Sequence, residues 1–128
     1  MKLLLDTHTL IWWTLTPERL SERVANLLAQ EDNDLLLSVA SVWEMQIKIP
    51  SGNLSLDLPL RELVLSQQQT NNLQLLSIRV ADVWVLSSLP VPHRDPFDRM
   101  IIAQAIAHEL PILSVDAVFD AYPVQRVW

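Results

Sequence analysis

Four acids in this 128-residue chain, Asp6, Glu44, Asp98 and Asp116, have a type and placement suited to chemistry. Carboxylates held close together repel and raise one another's pKa unless a cation stands between them. A set of hard oxygen ligands of this kind suits Mg²⁺ or Mn²⁺. Such an ion can activate a water and bind a phosphate oxygen, which is the chemistry of metal-assisted phosphodiester hydrolysis. Each acid also has a purely structural reading. Asp6 and Asp116 each close an apolar run and can cap the helical turn after it. Ser41-Val42-Trp43-Glu44 fits a capping box, and Glu44 with Lys48 fits an i,i+4 ion pair. Asp95-Pro96-Phe97-Asp98 fits an N-cap, a proline at the first helical position and an acid favoured by the helix dipole. The two readings separate on whether the fold brings the four acids to one edge.

The elements that would do so alternate along the chain. Lys2 to Asp6, Asp34 to Leu37, Leu73 to Ile78 and Pro111 to Val115 are short apolar runs that read as strands buried on both faces, and Val124 to Val127 reads as an edge strand. Helical stretches lie between them. Thr7 to Thr14 is the first. A second carries Leu20, Val24, Leu27 and Leu28 behind Thr16-Pro17, read as a cap and first position. The rest are Ser41 to Ile49, Leu60 to Gln69, Val80 to Leu86 and Phe97 to Leu110, with Pro90, Pro92 and Pro96 bracketing a loop. Strand–helix alternation predicts one α/β domain over residues 1–128 with a mostly parallel sheet. In such a sheet ligands bind beyond the C-terminal strand ends. Asp6 and Asp116 end strands there, and the helices bearing Glu44 and Asp98 start at the same edge, so all four acids are expected on one rim.

Composition removes other classes. There is no cysteine, hence no disulfide framework, zinc ribbon or thiol nucleophile. The single glycine, Gly52, excludes a Walker-type loop and a dinucleotide fingerprint. A net charge of −6 means that phosphates are not drawn in by a broad basic face. No window reaches the length of a membrane span, and the N-terminus lacks a secretory signal, so a cytoplasmic protein with no membrane partner is expected. Half the residues are hydrophobic and five are Trp, which predicts apolar surface covered by a partner.

The chain resembles the PIN-domain ribonucleases, specifically the VapC-type toxins of bacterial toxin–antitoxin pairs. The matching pieces are Leu3-Leu4-Leu5-Asp6-Thr7-His8, Ser38 through Glu44 with Ile47-Lys48, His93 through Arg99 running into Ile101-Ile102-Ala103-Gln104-Ala105, and Leu113-Ser114-Val115-Asp116 with Phe119. They occur in the family's order over nearly the whole chain. The resemblance implies a three-layer α/β/α fold with a parallel sheet of about five strands. It implies a Mg²⁺- or Mn²⁺-dependent endoribonuclease neutralised by a cognate antitoxin. Position by position, Asp6, Glu44 and Asp98 match the family's three acids and Asp116 its more variable fourth. Asp95 stands three residues before Asp98 and is assigned the helix cap. Ser114 stands where many members have Thr, and either hydroxyl can hydrogen-bond a carboxylate or water.

Arg94, Arg99 and Lys48 are candidate phosphate contacts. His8 follows the first acid closely enough to touch substrate, but it, His93 and His108 are read as histidines without a role, since none pairs with a nucleophile. Trp12, Trp13, Trp43 and Trp84 are read as core or dimer interface rather than base-stacking platforms. A homodimer is expected, together with an RNA substrate and operator DNA reached only through the antitoxin. Two rival readings remain. A metal-dependent phosphatase-like domain would carry Asp-x-Asp after the first strand, where this chain has Asp6-Thr7-His8. A non-catalytic α/β interaction module would be indifferent to neutralising the acids.

Overall fold

A computed structural model describes residues 1–90 and 95–128. Five parallel strands form one sheet: β1 (Lys2–Leu5), β2 (Asp34–Ser38), β3 (Gln74–Leu76), β4 (Ile112–Leu113) and β5 (Arg126–Val127), in the order β3-β2-β1-β4-β5. The register pairs Leu3 with Leu35, Leu5 with Leu37 and Leu5 with Leu113. The helices between strands are α1 (Thr7–Leu15), α2 (Glu22–Ala29), α3 (Val39–Lys48), α4 (Leu60–Asn71), α5 (Val80–Val85) and α6 (Pro96–His108).

Alternate residues of the Leu-rich strands supply two cores. Leu3, Leu5, Leu35, Leu37 and Leu113 face Leu10 of α1, Val24 and Leu28 of α2, Met45 of α3, and Leu63 and Val64 of α4. Leu4, Leu36 and Ile112 face Ile101, Ile102 and Ala105 of α6, with Phe119 and Tyr122. The central strands are therefore apolar on both faces, and the domain has the expected three layers, α/β/α. No helix among the described residues is long and apolar enough to cross a membrane.

Three local readings change. Pro17–Arg19 forms only a 3₁₀ turn, and Thr16 makes no side-chain capping bond. The helix carrying Val24 and Leu28 begins later, at Glu22, where Ser21 Oγ accepts from Val24 N–H. On α3 the cap is Ser38, whose Oγ accepts from Ala40 N–H at 3.0 Å, and not Ser41. The helix thus starts directly off β2, and Ser41 and Glu44 lie inside it, both buried. The loop reading at Pro92 falls outside the described residues. Asp95 does cap α6, accepting from Phe97 N–H at 2.8 Å and Asp98 N–H at 3.2 Å, with Pro96 at the first position.

Candidate active site

The chain leaves β1 toward β2 on one side, while β4 lies on the other, so the order reverses between β1 and β4. A crevice beyond the C-terminal ends of these two strands is the usual ligand position in an open α/β sheet. Asp6 follows β1 and Ser114 follows β4. The starts of α1, α3 and α6 reach the same edge.

Asp6 is 3% exposed. One carboxylate oxygen accepts from Thr7 N–H at 2.8 Å, which caps α1, and the other from Ser114 Oγ at 2.8 Å. Burial pushes its pKa up. The Ser114 hydroxyl, the nearby His8 and the Thr7 amide pull it down without cancelling the rise, and the charge of Glu44 adds to it. Glu44 is 2% exposed, and its Oε2 pairs with Lys48 Nζ. Its Oε1 is buried with no hydrogen-bond partner. The Lys48 pKa is raised, first by the hydrogen bond to Glu44, then, against its partial burial, by the charges of Glu44, Asp95 and Asp98. The start of α6 is thus felt electrostatically at α3, where Trp43 also packs edge to face on Phe97 at 5.1 Å.

Hydroxyls and amides hold these elements together. Thr7 Oγ1 donates to Ser41 Oγ at 2.8 Å, tying α1 to α3. Thr9 Oγ1 donates to the Leu113 carbonyl at 2.7 Å, tying α1 to β4. Ser38 Oγ donates to Gln104 Oε1, and Gln104 Nε2 donates to the Ser77 carbonyl and to Asp82. Sequence reasoning misses both the Ser38–Gln104–Asp82 chain and the Thr7–Ser41 pair. The signal for the first is a glutamine within the otherwise apolar Ile101–Ala105 stretch, because a polar side chain buried there requires partners.

Asp6 follows β1, Glu44 lies on α3 and Asp98 in the first turn of α6, while Asp6 and Asp116 line one concavity. Asp98 occupies the third position of α6 and is partly exposed. Asp116 is exposed, accepts from Val118 N–H at 3.0 Å, and donates its own N–H to Ser114 Oγ at 3.0 Å. The four acids do not form a closed cluster: among the described residues no three Asp, Glu or His side chains converge to hold a metal. The local reason is visible. Asp6, Asp95 and Asp116 bind helix-start amides, and Glu44 turns one oxygen to Lys48. The donor set nevertheless fits a hard divalent cation, because it consists of carboxylates and one buried carboxylate oxygen, Glu44 Oε1, has no donor. Of the candidate phosphate contacts, Lys48 is engaged by Glu44, Arg99 Nη2 donates to the Leu86 carbonyl at 3.2 Å, and Arg94, like His93, lies outside the described residues. His108 stands 3.3 Å from the buried Asp82 and serves that carboxylate instead.

Beside Asp6 the rim opens into a concavity of about 380 Å³ lined by Asp6, His8, Trp12, Val115, Asp116 and Ala117. Its lining includes two acids, Asp6 and Asp116, and two aromatic rings from successive turns of α1, His8 and Trp12.

Comparison with known proteins adds to this geometry. The family model for the PIN domain matches residues 3–125. Ribonuclease VapC22 of Mycobacterium tuberculosis is 28% identical over 114 residues, covering 88% of this chain and 85% of that protein. The crystal structure of VapBC2 from Rickettsia felis, bound to a DNA fragment from their promoter, matches with a TM-score of 0.74 at 15% identity, over 99% of this chain and 98% of that one. The crystal structure of FitAcB from Neisseria gonorrhoeae matches with a TM-score of 0.67 at 21% identity, over 100% of this chain and 97% of that one. At these identities the two structural likenesses speak for the fold.

Proposed function

The chain belongs to the PIN-domain family, and from that premise we propose that it is an endoribonuclease dependent on Mg²⁺ or Mn²⁺, with Asp6, Glu44, Asp98 and Asp116 as its acidic site. One observation carries the reading: two buried carboxylates, Asp6 and Glu44, face each other's charge at the C-terminal edge of the sheet, one with a raised pKa and one with an oxygen lacking a donor. Such an arrangement costs stability and is retained where it is used. The 28% identity to a ribonuclease supports the same reading.

Asp6, Glu44 and Asp98 would hold the ion, with Asp116 at the margin. When bound, it supplies charge that draws in a phosphate oxygen and lowers the pKa of a water. The chain's own residues do the rest. Ser114 and the Thr7 amide fix the Asp6 carboxylate in one orientation and favour its ionised form. Lys48 Nζ pairs with Glu44 Oε2 and orients that carboxylate at the start of the rim. In the hydrolysis a water oxygen bonds to phosphorus, the bond to the 3′-oxygen breaks, and the 3′-oxygen takes up a proton. The products carry a 5′-phosphate and a 3′-hydroxyl.

A cognate antitoxin, a homodimer and a cytoplasmic setting complete the proposal, with operator DNA reached only through the antitoxin. The support is exposed apolar surface. Trp43 is 59%, Val80 63% and Trp84 68% exposed, large apolar side chains that a partner can cover.

The test is cleavage of total RNA by purified protein. Asp6→Asn and Asp98→Asn are each expected to abolish cleavage while circular dichroism shows an intact fold. Full cleavage by Asp98→Asn with loss in Asp95→Asn would move the third acid to Asp95. Activity retained in both Asp6→Asn and Asp98→Asn would favour the non-catalytic module.

A further inference from the structure

We infer that His8 and Trp12 form a stacking platform for one unpaired nucleobase of the RNA, next to the phosphate held at Asp6. The inference rests on the nuclease reading above and deepens it. The sequence assigns Trp12 to core or interface and sets a substrate contact for His8 against its having no role; both rings line the concavity that also contains Asp6 and Asp116. They are four residues apart on α1, which places them on one helical face, with ring centroids 6.2 Å apart and planes at 53°. His8 is exposed and Trp12 half-buried.

The Trp12 indole is also braced. Trp128 meets it edge-on at 5.8 Å and 68°, and the exposed Arg19 guanidinium lies 5.2 Å from its ring centroid. Arg19 lies over one face of the Trp12 ring and Trp128 meets it edge-on, so the ring is fixed where it lines the concavity; aromatic rings of this kind hold single-stranded bases by stacking. Arg19, exposed and over the Trp12 ring, is the cation in contact with this aromatic pair. The concavity is shallow and open to solvent, so a base entering it from a single strand is not enclosed. Because the platform is built on the turn directly after Asp6, it sets which base stands beside the scissile bond.

The test maps cleavage ends in total RNA for the wild type, His8→Ala, Trp12→Phe and Trp12→Leu, and measures rates on one RNA that the wild type cuts. Trp12→Leu is expected to lower kcat/KM by about 5- to 150-fold, the loss of one base–aromatic stack, mainly through KM. It should also flatten the base preference beside the cut. Trp12→Phe should restore most of the rate. His8→Ala, at an exposed position, should raise KM with an unchanged melting temperature, and it keeps the test decisive if Trp12→Leu fails to fold. A wild type that cleaves RNA, with His8→Ala and Trp12→Leu cutting at the same rate and the same bases, overturns the platform and leaves the nuclease reading standing. A wild type that cleaves no RNA overturns both.

Discussion

Ser114 Oγ donates to Asp6 Oδ2 at 2.8 Å across 108 residues of sequence, joining the ends of β4 and β1 on either side of the crevice. The same oxygen accepts from Asp116 N–H at 3.0 Å, so one hydroxyl positions two of the four acids. Ser114→Ala is expected to cost about 1.5–3 kcal/mol, the range for a hydrogen bond to a charged group. It should also raise the Asp6 pKa further and slow RNA cleavage. Ser114→Thr keeps the hydroxyl and should stay close to wild type. Urea denaturation and cleavage rates on the same preparations check both variants.

Lys48 is the only described side chain paired with the buried Glu44. Lys48→Met leaves that carboxylate uncompensated, with an expected loss of about 1–3 kcal/mol. This is less than the full penalty for orphaning a buried charge, because the lysine is 39% exposed and screened. Glu44→Gln in the same chain should recover most of the loss. Mg²⁺ should raise the melting temperature of Lys48→Met more than that of the wild type, since it replaces the missing charge. Equal shifts would separate the ion from Glu44.

Two buried aspartates should push stability in opposite directions with pH. Burial raises the Asp82 pKa, but the Arg79 amide, the Gln104 amide and the charges of His108 and Arg79 outweigh it and leave it below the ordinary 3.8. Its contribution is therefore present above that value and lost as pH falls through the lowered folded pKa. Asp82→Asn should be less stable than wild type at neutral pH and lose less on acidification. Asp6 is raised above 3.8, so ionising it costs folded stability as pH rises through the interval between its unfolded and folded pKa values. Asp6→Asn should be more stable than wild type at neutral pH, with the difference shrinking toward about pH 4. Urea midpoints across that interval give both slopes.

The architecture is legible because both-face burial writes itself into the strands as leucine runs, Leu3-Leu4-Leu5 and Leu35-Leu36-Leu37, and because Asp95-Pro96 announces the start of α6. The start of α3 is ambiguous in sequence for a specific reason: Ser38 and Ser41 are both good caps, and long-range contacts, Ser41 with Thr7 and Ser38 with Gln104, accompany the choice of Ser38. The expectation of a shared rim follows from topology alone. Whether its acids converge does not, because each carboxylate chooses among a helix-start amide, a lysine and a neighbouring hydroxyl, and that choice is made by side chains distant in sequence. The Ser38–Gln104–Asp82 chain and the aromatic pair at Trp12 are hidden for the same reason.

The chemistry of the RNA ends tests the central claim most directly. Purified protein is incubated with total RNA with and without Mg²⁺ or Mn²⁺, and the new ends are mapped. The acidic rim predicts cleavage that requires the ion, stops in EDTA, and leaves 5′-phosphate and 3′-hydroxyl ends. Ends carrying 2′,3′-cyclic phosphate, or cleavage undiminished in excess EDTA, would contradict it and direct attention to His8 and His93 instead.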